Sequence, residues 1–188
     1  MIIPISGPHG SGKTTLMQKL AEASNQIIIY PEDRLNLPKI EDNYYERTKS
    51  KLLRYYFEGL DQKRYYQPDK ILLVSRCPYD SIAYSAAYQK LGWISSGQLE
   101  NIMSIVDLIF TKLPENIIII NPSLEILQKQ LENRWKNGGK KFKEDNFEYL
   151  AAVRQEFELL GKESNFLYLT DEPLEEKILK AKQWLKIA

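Results

Sequence analysis

A glycine-rich loop between a strand pattern and a helix pattern constrains this chain most strongly. Residues 7–14 read Gly-Pro-His-Gly-Ser-Gly-Lys-Thr and carry the spacing Gly-x-x-x-x-Gly-Lys-Thr. They follow the apolar run 2–6 and open a helical pattern over 13–23. Glycines let successive N–H groups turn toward phosphate oxygens, and the helix N-terminus adds further donors. The sequence therefore predicts a site for the phosphates of a nucleoside triphosphate.

The side chains of this loop have distinct predicted roles. Lys13 is expected to supply a mobile charge for the β- and γ-phosphates, and Thr14 a hydroxyl ligand for Mg²⁺. The predicted ATP-binding residues of the loop are Gly7, Pro8, His9, Gly10, Ser11, Gly12, Lys13, Thr14 and Thr15.

Length and composition fit one α/β domain over residues 1–188. The formal net charge is +1. Proteins that bind nucleic acid or membrane surfaces typically carry an excess of basic residues, which this chain lacks. We find no apolar run long enough to span a bilayer and no signal-peptide pattern at the N-terminus. The single cysteine, Cys77, rules out an internal disulfide and fits a reducing compartment, so we expect a cytoplasmic protein.

Short apolar runs alternate with longer helical patterns along the chain. Strands are predicted at 2–6, 27–30, 71–75, 116–121 and 166–170, and helices at 13–23, 43–60, 78–90, 96–112, 123–137, 145–161 and 173–186. This order predicts right-handed crossovers and a five-stranded parallel sheet with helices on both faces. Ligands of such sheets bind at the carboxyl ends of the strands.

Two arginines follow strands at that edge of the predicted sheet. Arg34 comes after the second strand and Arg76 after the third. A guanidinium group binds a phosphate monoester in two places and holds it for in-line attack. We find no guanine-reading Asn-Lys-x-Asp segment and no metal-binding Asp at the end of the third or fourth strand, which disfavours a GTPase or a motor ATPase. The remaining interpretation is a small kinase acting on a nucleotide or nucleoside.

Taken in order, these segments resemble the thymidylate kinases, within the wider family of nucleoside monophosphate and deoxynucleoside kinases. Residues 30–34 are similar to the family's Phe-Pro-x-Arg segment, and 76–84 to its Asp-Arg-Tyr and Ser-x-x-Ala-Tyr motifs. Residues 131–160 resemble the lid and the helix after it, and 169–176 the closing segment near the adenine. The resemblance implies the P-loop NTPase, nucleoside monophosphate kinase-like fold with a lid around residues 136–146. It further implies transfer of the ATP γ-phosphate to dTMP with Mg²⁺, a role in dTTP synthesis, and a homodimer.

The resemblance also implies roles for individual residues. Arg134 would lie over the adenine or the β-phosphate of ATP, Lys141 would enter from the lid, and Tyr56 would stack on the base. The implied catalytic residues are Lys13, Arg76, Arg34 and Lys141. The implied acceptor-binding residues are Glu32, Arg34, Tyr56, Arg76, Tyr84 and His9.

The chain departs from that family at several positions. His9 stands where thymidylate kinases usually carry an acidic residue; it is either a hydrogen-bonding partner of the sugar, an imidazolium on a phosphate, or an ordinary loop residue. Ser75 stands where the family has Asp, or Glu in the deoxynucleoside kinases. Glu32, Asp33 and Asp80 are candidates to compensate. Lys141 falls on the usual lid arginine, and lysine lacks the bidentate fork.

Two alternatives stay open at this point. The first is a deoxynucleoside kinase, in which Glu32 acts as base on the 5′-hydroxyl of thymidine or a related nucleoside. The second is a nucleotide-binding protein without kinase chemistry, which His9 and Ser75 motivate. The pair Arg34 and Arg76 favours an acceptor that already bears a phosphate, and hence the monophosphate kinase.

Overall fold

A computed structural model describes residues 1–31, 40, 43–138, 143–162 and 165–187. The strands are β1 Ile2–Ser6, β2 Ile27–Ile29, β3 Ile71–Ser75, β4 Ile117–Ile120 and β5 Phe166–Leu169. The helices are α1 Lys13–Ala23, α2 Tyr44–Gln62, α3 Pro78–Lys90, α4 Ser96–Ile109, α5 Leu124–Lys136, α6 Phe147–Leu160 and α7 Leu174–Leu185. Each predicted element is present, with ends that differ by at most a few residues. The largest difference is α4, which ends before 112 because Phe110 adopts an extended conformation.

The strands form one sheet in the order β2-β3-β1-β4-β5, and every neighbouring pair is parallel. β1 lies in the centre, with Ile5 opposite both Ser75 of β3 and Ile118 of β4. This register brings the segments after the three central strands to one edge of the sheet. The glycine-rich loop and Arg76 therefore meet there, as the pattern of strands predicts.

Helices cover both faces of the sheet, and each face has its own apolar core. On one face, side chains of α1 and α7 such as Leu16 and Ala181 pack against Ile3 and Ile5. On the other face, α2, α3, α4 and α6 enclose a larger core around Tyr88. Burial on both faces explains why the strands are nearly continuous in Ile, Leu and Val. Within the described ranges, none of these helices has the length and apolar character needed to cross a membrane.

Candidate active site

The loop after β1 is shaped by its glycines. Gly7, Gly10 and Gly12 all have positive φ angles of 141°, 76° and 90°, a region that side-chain-bearing residues rarely adopt. A Cβ atom at Gly7 would also collide with the carbonyl oxygen of Ile120, and one at Gly10 would press on the side chain of Leu131. The loop therefore curls tightly over the end of β4, as a phosphate cradle requires.

Lys13 is held inside this loop. Its ammonium group donates hydrogen bonds to the carbonyl oxygens of Gly7 at 2.9 Å and Pro8 at 2.6 Å, and to Ser11 Oγ at 3.2 Å. Only 8% of the residue is exposed. The cation thus lies at the mouth of the loop, next to the positions that phosphate oxygens take in such cradles.

A cleft of about 750 Å³ opens in front of the loop. Thr14 and Thr15, in the first turn of α1, are exposed, and Ser75 at the end of β3 also lines the cleft. The predicted site residues that line this cleft are His9, Gly10, Ser11, Gly12, Lys13, Thr14, Thr15, Arg76 and Arg134. Further lining residues come from the segment after β5 and the start of α7, including Asp171 and Lys177. The cleft is large enough for a nucleotide.

Arg76 occupies a strained position directly after β3. Its φ angle is 71°, in the left-handed region, which costs a non-glycine residue about 1–2 kcal/mol. Its guanidinium group donates to Asp80 Oδ1 at 2.9 Å and to the Tyr84 hydroxyl at 3.3 Å. The same group reaches the carbonyl oxygen of Gly7 at 3.5 Å. These contacts fix the guanidinium between the glycine-rich loop and α3.

Asp80 is the fully buried anchor of this arrangement. Its Oδ2 accepts hydrogen bonds from Ser6 Oγ at 2.6 Å and from the backbone N–H of Cys77 at 2.9 Å, which caps α3. Both oxygens are therefore engaged, and Asp80 does not take over the metal-ordering role of the acidic residue that Ser75 replaces. Burial raises the pKa of the neighbouring Cys77 thiol to about 12, so this cysteine stays protonated.

His9 packs between the loop and the aromatic side chains of α3 and α6. Its ring centroid lies 5.2 Å from that of Tyr84, and its Nδ1 lies 3.6 Å from Oε1 of Glu144. Burial lowers the pKa of His9 well below its usual value, and the charges of Arg76 and Lys51 lower it further. Of the three roles considered for His9, this direction disfavours the imidazolium, because an added charge there would be buried beside cations.

Glu144 joins the end of α5 to the glycine-rich loop. It is fully buried and forms an ion pair with Arg134, while Trp135 Nε1 donates to its Oε2 at 3.3 Å. Arg134 lines the cleft, and its guanidinium is partnered by the carboxylate of Glu144.

The aromatic residues of α2 lie differently from the prediction. Tyr56 is 39% exposed and packs edge-on against Phe57, with ring centroids 5.6 Å apart. It lines neither the cleft nor a second cavity of about 380 Å³ that reaches Arg76 from the side of α2. Tyr55 lines that second cavity, and its phenol is buried near Arg76 and Tyr84. Neighbouring positions of a helix differ by about 100° in direction, so Tyr55, and not the predicted Tyr56, is the tyrosine of this pair that reaches a cavity. Tyr84 contacts both Arg76 and His9.

Several predicted residues lie outside the described part of the chain. These are Glu32, Arg34 and Lys141, together with the compensating candidate Asp33. Conversely, Lys51 and Glu144 contact residues of the site although no motif in the sequence marks them. Lys51 is one turn before Tyr55 on α2, and its distance of four residues from both Arg47 and Tyr55 is the only sequence signal that marks a shared face.

The fold and the cleft together define a P-loop phosphotransferase of the α/β class. The sequence model of the deoxynucleoside kinase family matches residues 3–183, and the chain therefore belongs to that family. It is a nucleoside kinase, an ATP-dependent phosphotransferase. This removes the alternative of a binding protein without chemistry.

Solved structures support the fold. Deoxyadenosine kinase from M. mycoides with the products dCMP and a flexible dCDP bound is 14% identical, with a TM-score of 0.76 over 99% of this chain and 98% of that chain. The same enzyme with bound dATP is 16% identical, with a TM-score of 0.74 over 99% and 100% of the two chains. With bound dCTP the TM-score is 0.71 at 16% identity, over 99% of each chain. No curated protein sequence matches the chain.

The family match corrects the thymidylate kinase resemblance, which was wrong. The motifs that carried it are the phosphate loop, an arginine after β3 and a lid followed by a helix. The wider family shares these features, so they fix the fold and the donor side but leave the acceptor open.

Proposed function

We propose that this chain transfers the γ-phosphoryl group of ATP to the 5′-hydroxyl of a deoxynucleoside. The observation that carries this choice is the pairing of Arg76. Its guanidinium already has a carboxylate partner, Asp80, at 2.9 Å, and the Tyr84 hydroxyl at 3.3 Å. An arginine neutralised in this way is a poor clamp for a dianionic monophosphate but a good fixed donor for a neutral hydroxyl oxygen. This supports the nucleoside over the monophosphate as acceptor.

On the donor side, the amides of residues 7–14 would hold the phosphates and Lys13 would neutralise charge on the β- and γ-oxygens. Arg134 and the segment around Asp171, which line the far end of the cleft, would border the base of ATP. On the acceptor side, Tyr55 and Tyr84 would frame the nucleoside and Arg76 would orient its 5′-hydroxyl. Glu32 remains the proposed base, which would take the proton of that hydroxyl. Lys141 and Arg34 remain proposed contacts to the transferring group.

The residues of the cleft fit a Mg²⁺ ion that arrives with ATP. Thr14 is exposed at the first turn of α1 and offers a hydroxyl oxygen, and Ser75, which lines the same cleft, offers a second neutral oxygen. Among the described residues no group of three or more Asp, Glu, His or Cys side chains could hold a metal by itself. This suits Mg²⁺, which keeps most of its waters and binds through one or two protein oxygens plus phosphates. The ion would neutralise charge on the phosphate oxygens.

Deoxyadenosine and deoxycytidine are the acceptors to test first, because the similar M. mycoides structures are of a deoxyadenosine kinase and include its product dCMP. An ADP-release assay with ATP and Mg²⁺ across deoxyadenosine, deoxycytidine, deoxyguanosine, thymidine and dTMP tests the proposal. We expect turnover with at least one deoxynucleoside. Turnover of dTMP alone would overturn it. The single domain over 1–188 with a lid at 136–146 and the homodimer also remain proposals, and light scattering after size-exclusion chromatography tests the homodimer.

A further inference from the structure

Two cations share one aromatic ring at the acceptor side of the site. Lys51 Nζ lies 5.2 Å from the centroid of the Tyr84 ring, and Arg76 Cζ lies 5.3 Å from the same centroid. The charge of Lys51 also reaches His9 of the glycine-rich loop, whose pKa it lowers. Lys51 therefore projects from α2 to the place where the loop, β3 and α3 meet.

The two cations differ in their counter-ions. Arg76 is paired with Asp80. Lys51 makes no ion pair or hydrogen bond with any residue in the part of the chain that the structure describes, although it is partly buried. A buried cation without a carboxylate is costly, and its pKa falls so that the group can lose its charge. Burial and the charge of Arg76 lower the pKa of Lys51 to about 7.

Such a side chain gains most from a ligand that brings its own negative charge. In the proposed reaction, on which this inference rests, the acceptor enters neutral. The bond from O5′ to the γ-phosphorus forms, the bond from that phosphorus to the β–γ bridging oxygen breaks, and the base takes the O5′ proton. The acceptor thus leaves as a 5′-monophosphate, whose charge appears beside Arg76.

We propose that Lys51, and not the paired Arg76, binds the 5′-phosphate of the product nucleotide, so that the site holds the monophosphate as a product more tightly than the neutral nucleoside, without using it as an acceptor. Cation–phosphate hydrogen bonds are about twice as strong as neutral ones. Lys51 is thus a binding residue for the product, and tight binding of the product inhibits the enzyme. The same lysine distinguishes the charged monophosphate from the uncharged nucleoside.

The charged groups around Lys51 predict how this binding changes with pH. Arg47 and Arg54 on α2 and Arg76 after β3 disfavour its charge, and Asp80 on α3 favours it. The neighbouring His9 and Tyr84 stay neutral around pH 7, since the pKa of His9 is lowered and that of Tyr84 is raised to about 12. Lys51 is partly protonated at about pH 7 and neutral at about pH 9. The affinity for the product should fall as the pH rises between these values.

Isothermal titration calorimetry tests the proposal, with the four deoxynucleosides and their four 5′-monophosphates as ligands. We expect Lys51→Met to weaken binding of the preferred monophosphate about tenfold or more, with the Kd of the matching nucleoside within about twofold. Lys51→Arg should restore part of the loss. The control is Lys49→Met on the same helix, because Lys49 pairs with Glu46 and lies over the ring of Tyr45, not that of Tyr84; this variant should change neither affinity.

The wild-type protein should bind the monophosphate more weakly at about pH 9 than at about pH 7, and Lys51→Met should remove that pH dependence. Equal losses for nucleoside and monophosphate would assign Lys51 a structural role and overturn the proposal. A wild-type protein that binds monophosphates no tighter than nucleosides would overturn it as well. Binding is measured without turnover, so a failure of the proposed kinase reaction would show separately, in the ADP-release assay.

Discussion

The phosphate loop and the proposed acceptor side are built in different ways. The loop is one continuous segment, residues 7–14, in which backbone amides and three glycines with positive φ form the cradle. The proposed acceptor side gathers single side chains that different elements contribute, namely Lys51 from α2, Arg76 after β3 and Tyr84 from α3. Local backbone geometry is encoded locally, whereas a pocket of separate side chains depends on how the helices pack.

The first prediction concerns the phosphate loop and has the largest expected effect. Lys13→Ala should lower kcat by about 10⁴-fold with the fold intact, because a cation on the transferring phosphoryl group contributes on that scale. Steady-state ADP release measures the effect, and far-UV circular dichroism checks the fold. Lys19→Ala is the control, since Lys19 lies on the outer side of α1 and pairs with Glu22. An active Lys13→Ala variant would contradict the site.

The second prediction tests whether the acceptor is a nucleoside hydroxyl, which needs a base, or a monophosphate. Glu32→Gln should lower kcat by about 10³-fold, the usual contribution of a general base. The loss is expected with deoxynucleosides, because a neutral hydroxyl must lose its proton. Glu22→Gln on the outer side of α1 is the control. If Glu32→Gln retains near wild-type kcat with the preferred nucleoside, Glu32 is not the base.

The third prediction concerns the strained arginine. Arg76→Ala should lower kcat/KM for the nucleoside by about 10²-fold, the usual loss of a fixed donor at the reacting atoms. The KM for ATP should change much less. Kinetics with each substrate varied in turn measure this split, and Arg64→Ala in the exposed turn after α2 is the control. If Arg76→Ala instead raises only the KM for ATP, Arg76 contributes to ATP binding and not to the acceptor.

The smallest effect is expected at His9. His9→Leu should lower kcat/KM for the nucleoside about tenfold through loss of one hydrogen-bonding group. The ratio of wild type to variant should stay constant between about pH 6.5 and about pH 8.5, because a pKa well below 6.5 leaves His9 neutral over this range. His9→Asn, which keeps a polar group, should lose less. A ratio that rises steadily as the pH falls through this range would indicate a charged imidazolium instead.

The same contrast explains what the sequence could predict. The five strands, the seven helices and the loop follow from apolar periodicity and glycine spacing, which act over short distances. The sequence favours Tyr56 for the base, whereas Tyr55 is the residue that lines a cavity, because a shift of one residue changes the helix face. Apart from its spacing to Arg47 and Tyr55, nothing in the sequence distinguishes Lys51, which lies over Tyr84, from Lys49 two residues earlier, which pairs with Glu46. The sequence leaves Asp80 as a candidate to replace the missing acidic residue. In the structure, hydrogen bonds from Ser6 and Arg76 engage both of its carboxylate oxygens.

The choice of acceptor is the central claim, and a direct competition tests it. The enzyme, ATP and Mg²⁺ are incubated with equal amounts of each deoxynucleoside and its own 5′-monophosphate, and the products are separated by chromatography at early times. We predict that a deoxynucleoside monophosphate accumulates first and that the diphosphate is minor. Early formation of a deoxynucleoside diphosphate from added monophosphate, with the nucleoside untouched, would contradict the account.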